Sequence, residues 1–152
     1  MIQLRGVERA DLDALFALDH KCFPPGIAYS RADLRYYLSH PRSFSVVAED
    51  AAKSIVGFAI AESCLEGGKR IGHVITIDVT PEARRNGLGC MLMDALLDRL
   101  RNVGTTKVRL EVAIDNAGAQ AFYQQLGFVK TGRIRGFYQG KLDALTMEKL
   151  LT

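Results

Sequence analysis

The sequence predicts a single α/β domain over residues 1–152, built on a mixed, mostly antiparallel twisted sheet of about seven strands with about four helices. Three observations support this fold class. A chain of 152 residues is long enough for one hydrophobic core and too short for two. Its segments follow the order strand, two helices, three strands, helix, strand, helix, two strands. The long helix between two strands indicates one parallel crossover among antiparallel hairpins.

The first part of the chain is typical of a strand followed by two helices. Residues 2–5 form a short strand, and residues 10–22 carry apolar side chains at helical spacing. Pro24-Pro25-Gly26 ends this helix, because proline cannot continue it. Ser30 is a suitable N-cap for a second helix that runs through Leu38.

Strands and two further helices alternate along the rest of the chain. β-branched and apolar runs closed by polar or glycine-containing turns predict the strands. Helical periodicity after Gly87 and after Asn116 predicts a long crossover helix and a shorter one. The predicted strands are 44–49, 55–63, 74–79, 107–112, 128–134 and 144–150, and the predicted helices are 88–100 and 116–126.

Composition restricts the classes of function. Hydrophobic residues make up 48% and charged residues 24%, as in ordinary globular proteins. The sequence has no apolar run long enough to cross a bilayer, and MIQLRGVERAD lacks the apolar region of a signal peptide, so we expect a cytoplasmic protein with no membrane partner. The net charge of +3 suits a polyanionic cofactor, whereas scattered basic residues argue against nucleic acid as a partner.

The three cysteines, Cys22, Cys64 and Cys90, are odd in number and lack C-x-x-C spacing. We therefore expect reduced, mostly buried thiols and no metal site. Asp78 is unusual because it lies inside an apolar strand. We expect it to bond neighbouring backbone groups and assign it no catalytic role.

A glycine-rich turn at residues 84–89 precedes the long helix. The first turn of a helix leaves N–H groups unpaired, and the helix dipole adds partial positive charge there. Two arginines add paired donors, and two glycines let the backbone approach a ligand closely. The turn therefore predicts a phosphate or pyrophosphate site. It is neither a dinucleotide fingerprint, since Leu92 occupies the third glycine position, nor a P-loop, since no lysine follows.

The pattern R-x-x-G-x-G at this turn resembles the acetyl-CoA pyrophosphate loop of the GNAT superfamily of N-acetyltransferases. The second cofactor-binding segment of the same superfamily resembles residues 111–128, which read EV…N…A…FY…LGF. The strand at residues 72–79, GHVITIDV, is similar to the corresponding strand of protein N-terminal acetyltransferases, including the ribosomal-protein enzymes. The resemblance covers most of the chain and is strongest over residues 73–128. It implies a GNAT-like fold and acetyl-CoA as cosubstrate. The cofactor-binding residues that it implies are Ile77, Val79, Arg84, Arg85, Asn86, Gly87, Leu88, Gly89, Asn116 and Tyr123.

The resemblance also implies catalytic residues. Asn116 would contact the pantetheine arm, and Tyr123 would face the coenzyme A sulfur as the acid. Glu111 and His73 are the candidate bases, with Glu62 a weaker one, and the choice among them stays open. Each has a structural alternative: Tyr123 as a core aromatic residue, Glu111 as an ion-paired carboxylate on one strand face with Lys107 and Arg109, and His73 as a hydrogen-bonded histidine at a strand start.

The acceptor is a primary amine, and the resemblance favours the N-terminal α-amine of a protein or peptide, acetylated by direct attack in a ternary complex. Pro24, Tyr29 and Tyr138 are the implied substrate-binding residues. Phe137 replaces a tyrosine of the family ending, and the loop at residues 23–29 carries no acidic residue. A small-molecule amine such as an amino acid, polyamine or antibiotic is the alternative acceptor. A non-catalytic acyl-CoA-binding module is the second alternative, and a homodimer is left open.

Overall fold

The computed structural model describes residues 1–151 and contains one seven-stranded sheet in the order β1-β2-β3-β4-β5-β7-β6. Short 3₁₀ turns at Arg9–Asp11 and Pro81–Ala83 precede α1 and α3. The elements are β1 Gln3–Arg5, α1 Leu12–Cys22, α2 Arg31–Ser39, β2 Ser43–Glu49, β3 Ile55–Glu66, β4 Lys69–Val79, α3 Leu88–Asn102, β5 Lys107–Ala113, α4 Ala117–Gln125, β6 Val129–Tyr138 and β7 Leu142–Leu150.

This architecture confirms the predicted fold class and element order. Every strand pair in the described part of the chain is antiparallel except β4 and β5, which flank the crossover helix α3. The boundaries differ by a few residues. The first helix begins as a 3₁₀ turn, and Asn116 is the N-cap of α4 rather than its first residue, because its side-chain oxygen accepts a hydrogen bond from the Ala119 N–H at 3.1 Å.

Helices cover both faces of the sheet. The apolar face of α3 packs on one side through Leu92, Met93, Leu96 and Leu100, all fully buried or nearly so. On the other side, α1 and α2 pack against the central strand β3, and this smaller core contains Leu15, Leu18, Leu34, Phe58 and Ile60. The sheet is therefore buried at its centre, as the mixed order of elements requires.

The central strands β4 and β5 separate after a short stretch of pairing. Their parallel register covers only Ile71–His73 against Lys107–Arg109. Just beyond His73, β4 gains an extra residue, Ile75, relative to β3, which forms a β-bulge. A bulged strand bends, so the remainder of β4 leaves β5 without its pairing partner on that side. The gap between the two strands opens the space in which the candidate site lies.

The expectation of mostly buried thiols is wrong. Cys22 and Cys64 are half-buried, and Cys90 is exposed on the first turn of α3. Cys90 is exposed because its side of this turn faces the open cleft, whereas Leu88 on the same turn is buried in the core. Within residues 1–151, no helix combines the length and the apolar character needed to cross a membrane.

Candidate active site

A cleft of about 1170 Å³ lies between the separated ends of β4 and β5. It is bounded by the turn before α3, by α4, by the loop after α1 and by the end of β6. Asn86 and His73 do not line it, although His73 contacts a residue that does. The sequence-predicted site residues that line it are Pro24, Tyr29, Ile77, Val79, Arg84, Arg85, Gly87, Leu88, Gly89, Glu111, Asn116, Tyr123 and Tyr138.

The turn before α3 has two residues with positive φ angles and is fixed by a contact on each side. Gly87, the N-cap, has φ of 77°, and Arg85 has φ of 68°. Leu88 is buried in the core directly after the turn, and the Nε of Arg84 donates to the Val79 carbonyl oxygen at 3.0 Å. The first-turn N–H groups have no intrahelical acceptor. They open on the cleft beside two guanidinium groups, which is a suitable binding site for a pyrophosphate.

Gly89 has a packing role that the sequence did not indicate. A Cβ atom at this position would lie 2.9 Å from Cζ of Phe122 on α4. The missing side chain therefore allows α4 to approach the start of α3. This close approach forms one wall of the cleft, in addition to the ligand access that the sequence suggested.

The end of β5 and the start of α4 form the middle of the cleft. The Oδ1 of Asn116 caps α4, which leaves its NH₂ group as a donor toward a ligand. Gln120 donates to the carbonyl oxygens of Ala113 and Ile114 at 3.1 and 3.0 Å and fixes the strand end to the helix. Burial raises the pKa of Tyr123, so the Tyr123 phenol stays protonated.

His73 and Glu111 form a short hydrogen-bonded pair at the point where the two strands separate. The His73 Nε2 and the Glu111 Oε1 are 2.6 Å apart, which is a short hydrogen bond for a nitrogen and a carboxylate oxygen. On the opposite side of the ring, Nδ1 lies 3.8 Å from Oε1 of Glu62, the cross-strand neighbour of His73. Both ring nitrogens therefore face carboxylates, which orients the imidazole.

The main contact of Glu111 is with His73 rather than with the cations on its own strand. Arg109 lies 3.9 Å from Glu111 but makes its closer contact, 2.8 Å, with Glu66. Lys107 pairs with Glu148 at 3.6 Å. The Glu111 side chain is 13% exposed and lines the cleft, so it can reach a bound acceptor.

The loop after α1 and the end of β6 form the side of the cleft on which the sequence predicts the acceptor. The Tyr29 hydroxyl donates to the Ile75 carbonyl oxygen at 3.1 Å, which fixes the loop to the bulge of β4. Burial and the nearby Glu111 charge raise the pKa of Tyr138 to about 12. Phe23 and Ile27 also line this side, and sequence reasoning missed them because apolar residues beside prolines are just as typical of a core.

Residues 12–128 match the family described as the acetyltransferase (GNAT) family. The chain belongs to this family. The predicted resemblance is thereby confirmed for more than half of the chain, including the turn before α3 and the segment that ends at Phe128.

The relatives of this GNAT protein include N-terminal acetyltransferases. It is 30% identical over 116 residues to N-alpha-acetyltransferase 30 of Schizosaccharomyces pombe, an alignment that covers 76% of this chain and 77% of that protein. The structure of the ribosomal-protein-S18-alanine N-acetyltransferase from Escherichia coli has a TM-score of 0.85 and 26% identity, and covers 100% of this chain and 95% of that one. Arabidopsis thaliana NAA60, in complex with acetyl-CoA, shares the fold with a TM-score of 0.89 at 20% identity, covering 99% of each chain.

Acetyl-CoA is the cosubstrate of this GNAT enzyme, and the cleft fits it. The two guanidinium groups and free N–H groups at the start of α3 match a pyrophosphate, and the long groove between β4 and β5 suits an extended arm. Across residues 1–151, no three His, Cys, Asp or Glu side chains come together in a group that could hold a metal ion.

Proposed function

We propose that this GNAT enzyme transfers the acetyl group of acetyl-CoA to the N-terminal α-amine of a protein or peptide, by direct attack within a ternary complex. The observation that carries the proposal is the opposite charge of the two ends of the cleft. Arg84 and Arg85 make the donor end basic, while Glu111, with His73 and Glu62 behind it, makes the acceptor end acidic. An acidic end attracts an ammonium group and holds a base next to it.

The hydrogen-bonded pair of His73 and Glu111 supplies the base. An α-ammonium group must lose a proton before it can attack, and Glu111 lines the cleft where that proton is released. Because the two side chains are 2.6 Å apart, a proton accepted by one is shared with the other. The pair therefore acts as one basic unit, directly or through a water molecule.

Bound acetyl-CoA supplies an acetyl group as a thioester whose sulfur leaves as a thiolate. Tyr123 stabilises that sulfur by donating a hydrogen bond. A thiol has a pKa of about 8.5, well below the raised pKa of the Tyr123 phenol, so complete proton transfer from Tyr123 is unfavourable. The proton that finally neutralises the thiolate comes from the attacking amine through the base.

Free energies favour an α-amine over a lysine as acceptor. An α-ammonium group has a pKa of about 7.8, so its deprotonation at pH 7 costs about 1 kcal/mol. The lysine ammonium group has a pKa of about 10.4, so its deprotonation at the same pH costs about 4.6 kcal/mol. The base in this site is a histidine–carboxylate pair open to the cleft, which suffices for the smaller cost. The N-terminal acetyltransferases among the relatives support the same acceptor class.

An acceptor screen with acetyl-CoA tests this proposal. The screen measures the release of free coenzyme A with three sets of acceptors. These are peptides with free N-termini, the same peptides with blocked N-termini, and a set of amino acids, polyamines and aminoglycosides. We expect turnover of the free peptides that exceeds turnover of the blocked ones at least tenfold. Turnover of small amines alone would refute the peptide proposal and favour the small-amine alternative.

A further inference from the structure

Two carboxyl groups that the mechanism does not use lie buried between α1 and β4. Asp19 of α1 is 0% exposed and Asp78 of β4 is 1% exposed. Their side chains are within hydrogen-bonding reach of each other. One oxygen of each has another partner: Asp19 Oδ2 accepts the Tyr29 N–H at 2.7 Å, and Asp78 Oδ1 accepts the Thr76 hydroxyl at 2.5 Å.

The remaining two oxygens, Asp19 Oδ1 and Asp78 Oδ2, find no donor among the described residues. Two ionised carboxylates in contact, buried and without a cation between them, would repel each other strongly. A single proton between them removes the repulsion and provides both oxygens with a hydrogen bond. We propose that Asp19 and Asp78 share one proton at neutral pH, and that this bond holds α1 and the loop after it against β4.

The surroundings assign the proton to Asp78. Burial raises the pKa of Asp78 well above its usual range, and the Asp19 carboxylate raises it further. The Thr76 hydrogen bond and the more distant Arg84 charge act in the opposite direction without cancelling these effects. Asp78 therefore carries the proton and donates it to Asp19, whose other oxygen accepts from Tyr29.

Apart from the more distant Arg84, the titratable groups around the pair are neutral in the described part of the chain. They are Cys22, Tyr29 and Tyr123, and burial raises the pKa of each, so all three stay protonated. On β3, the residue opposite Asp78 is the buried Phe58. The shared proton therefore has no competing base within this pocket.

The bond positions the acceptor side of the cleft. Asp78 bonds to Asp19, and Asp19 accepts a hydrogen bond from the Tyr29 N–H. The Tyr29 hydroxyl in turn donates to the Ile75 carbonyl oxygen at the β4 bulge. Tyr29 lines the cleft, so losing the bond would displace the acceptor wall. This consequence for the acceptor rests on the proposed function, whereas the shared proton does not. Asp19 and Asp78 are in this account positioning residues.

Infrared spectroscopy tests the proton directly. A buried, protonated carboxylic acid has a carbonyl band that an ionised carboxylate lacks, so we expect this band in the wild-type enzyme at pH 7. It should be missing in Asp78→Asn and unchanged in Asp94→Asn, which alters an exposed carboxyl on α3. A wild-type spectrum without the band at pH 7 would overturn the proposal, even if Asp78→Asn fails to fold.

The pH dependence of unfolding provides a second readout. Since the folded state holds a proton that the unfolded chain releases at a pKa of about 3.9, wild-type stability falls as pH rises from there toward the folded-state pKa. The side-chain amide in Asp78→Asn donates without binding a proton, so the stability of this variant relative to wild type should increase with pH in denaturant titrations. A difference that stays constant from pH 4 to pH 8 would contradict the shared proton.

Kinetics test the positioning role. Asp78→Ala removes the donor, and we expect the KM for the acceptor to rise roughly tenfold, with a smaller change in the KM for acetyl-CoA. Asp78→Asn should restore much of the loss, because an amide can still donate to Asp19. Equal acceptor KM values for Asp78→Ala and wild type would refute the positioning role. If no peptide is a substrate, the infrared and unfolding experiments still decide whether the proton is shared.

Discussion

At the scale of single residues, strand register makes one unit of His73 and Glu111. His73 is the last residue of β4 paired to β5, and Glu111 lies two residues beyond its partner Arg109. Residues two apart on a strand share a face, so the Glu111 side chain reaches over the start of the gap to the imidazole. This contact supports the proposal that His73 and Glu111 act together as the base.

If His73 and Glu111 act as one unit, the effects of mutating them on kcat/KM should not be additive. Glu111→Gln and His73→Ala should each lower kcat/KM by about 10²-fold, the usual contribution of general base catalysis. The double variant should lose little more than either single variant, because residues that act as one unit are not additive. The kcat/KM values of the single and double variants are compared from initial rates at saturating acetyl-CoA. Losses that multiply in the double variant would show that the two residues act independently.

Removing the Tyr123 hydroxyl should affect the chemical step. Tyr123→Phe keeps the ring that packs 5.9 Å from Phe128 and removes only the hydroxyl that we propose donates to the sulfur. We expect kcat to fall by about 10²-fold with the acetyl-CoA KM within a factor of about three. Tyr36→Phe, at an exposed tyrosine on α2, is the control and should have wild-type kcat. An unchanged kcat in Tyr123→Phe would leave this tyrosine a packing role only.

The sequence predicted most of these residues but not their contacts. Glu111, Tyr123 and Asn116 lie in a recognisable segment, so their location in one cleft could be predicted. The hydrogen bond between His73 and Glu111 depends on register between strands that are distant in sequence, which periodicity does not encode. The sequence predicts backbone partners for Asp78, whereas its observed partners are the Thr76 hydroxyl and Asp19, which lies on another element.

At the scale of elements, the close pairing of β3 and β4 positions the donor side of the cleft. Gly57 of β3 lies opposite Val79, and a Cβ atom there would be 2.9 Å from the backbone oxygen of Asp78 and 3.2 Å from Leu92 of α3. Backbone atoms in the middle of a sheet cannot move aside easily. Gly57 thus sets how tightly three elements meet beneath the cleft.

We expect Gly57→Ala to destabilise the fold by about 1–3 kcal/mol, the usual cost of overpacking. Gly6→Ala is the matched control: nothing lies within 4 Å of its Cβ position, so its stability should equal or slightly exceed that of wild type. Denaturant unfolding of both variants measures the difference. A Gly57→Ala protein as stable as Gly6→Ala would mean that these elements can shift apart without cost.

Element order and type could be predicted, whereas the gap between β4 and β5 could not. Hydrophobic periodicity predicts every helix and strand, with ends that differ from the observed ones by up to five residues. The bulge at Ile75 has no sequence signal of its own, since a β-branched residue suits either a regular or a bulged position. The place of β7 between β5 and β6 likewise depends on pairing rather than on pattern.

At the scale of the whole molecule, a network of charges joins the first strand to the first helical turn and the sheet. Arg5 donates to both oxygens of Asp11 at 2.9 and 3.0 Å and to Glu49 at 3.1 Å. The hydrogen bonds from Arg5 lower the pKa of Asp11 despite its burial. The N-terminal part of the chain is thereby fixed to the edge of the sheet.

Asp11→Asn should lower stability at pH 7 by about 1–3 kcal/mol, because it removes charged hydrogen bonds from a largely buried site. The lowered pKa means that this stabilisation is present above the unfolded-state pKa of about 3.9 and is lost as pH falls through the lower folded-state value. The difference from wild type should therefore shrink below pH 4. Asp98→Asn, which alters an exposed ion pair, should match wild type throughout. A difference that persists at low pH would contradict the account of Arg5 and Asp11.

At the scale of the whole molecule, we propose that the acidic end of the cleft presents an α-amine to acetyl-CoA. The most direct measurement uses one peptide with both a free N-terminus and an internal lysine, incubated with acetyl-CoA and analysed by fragmentation mass spectrometry. We expect acetylation on the α-amine, and a much slower reaction with Glu111→Gln. Acetyl groups found only on the lysine, or a rate that does not depend on Glu111, would contradict this proposal.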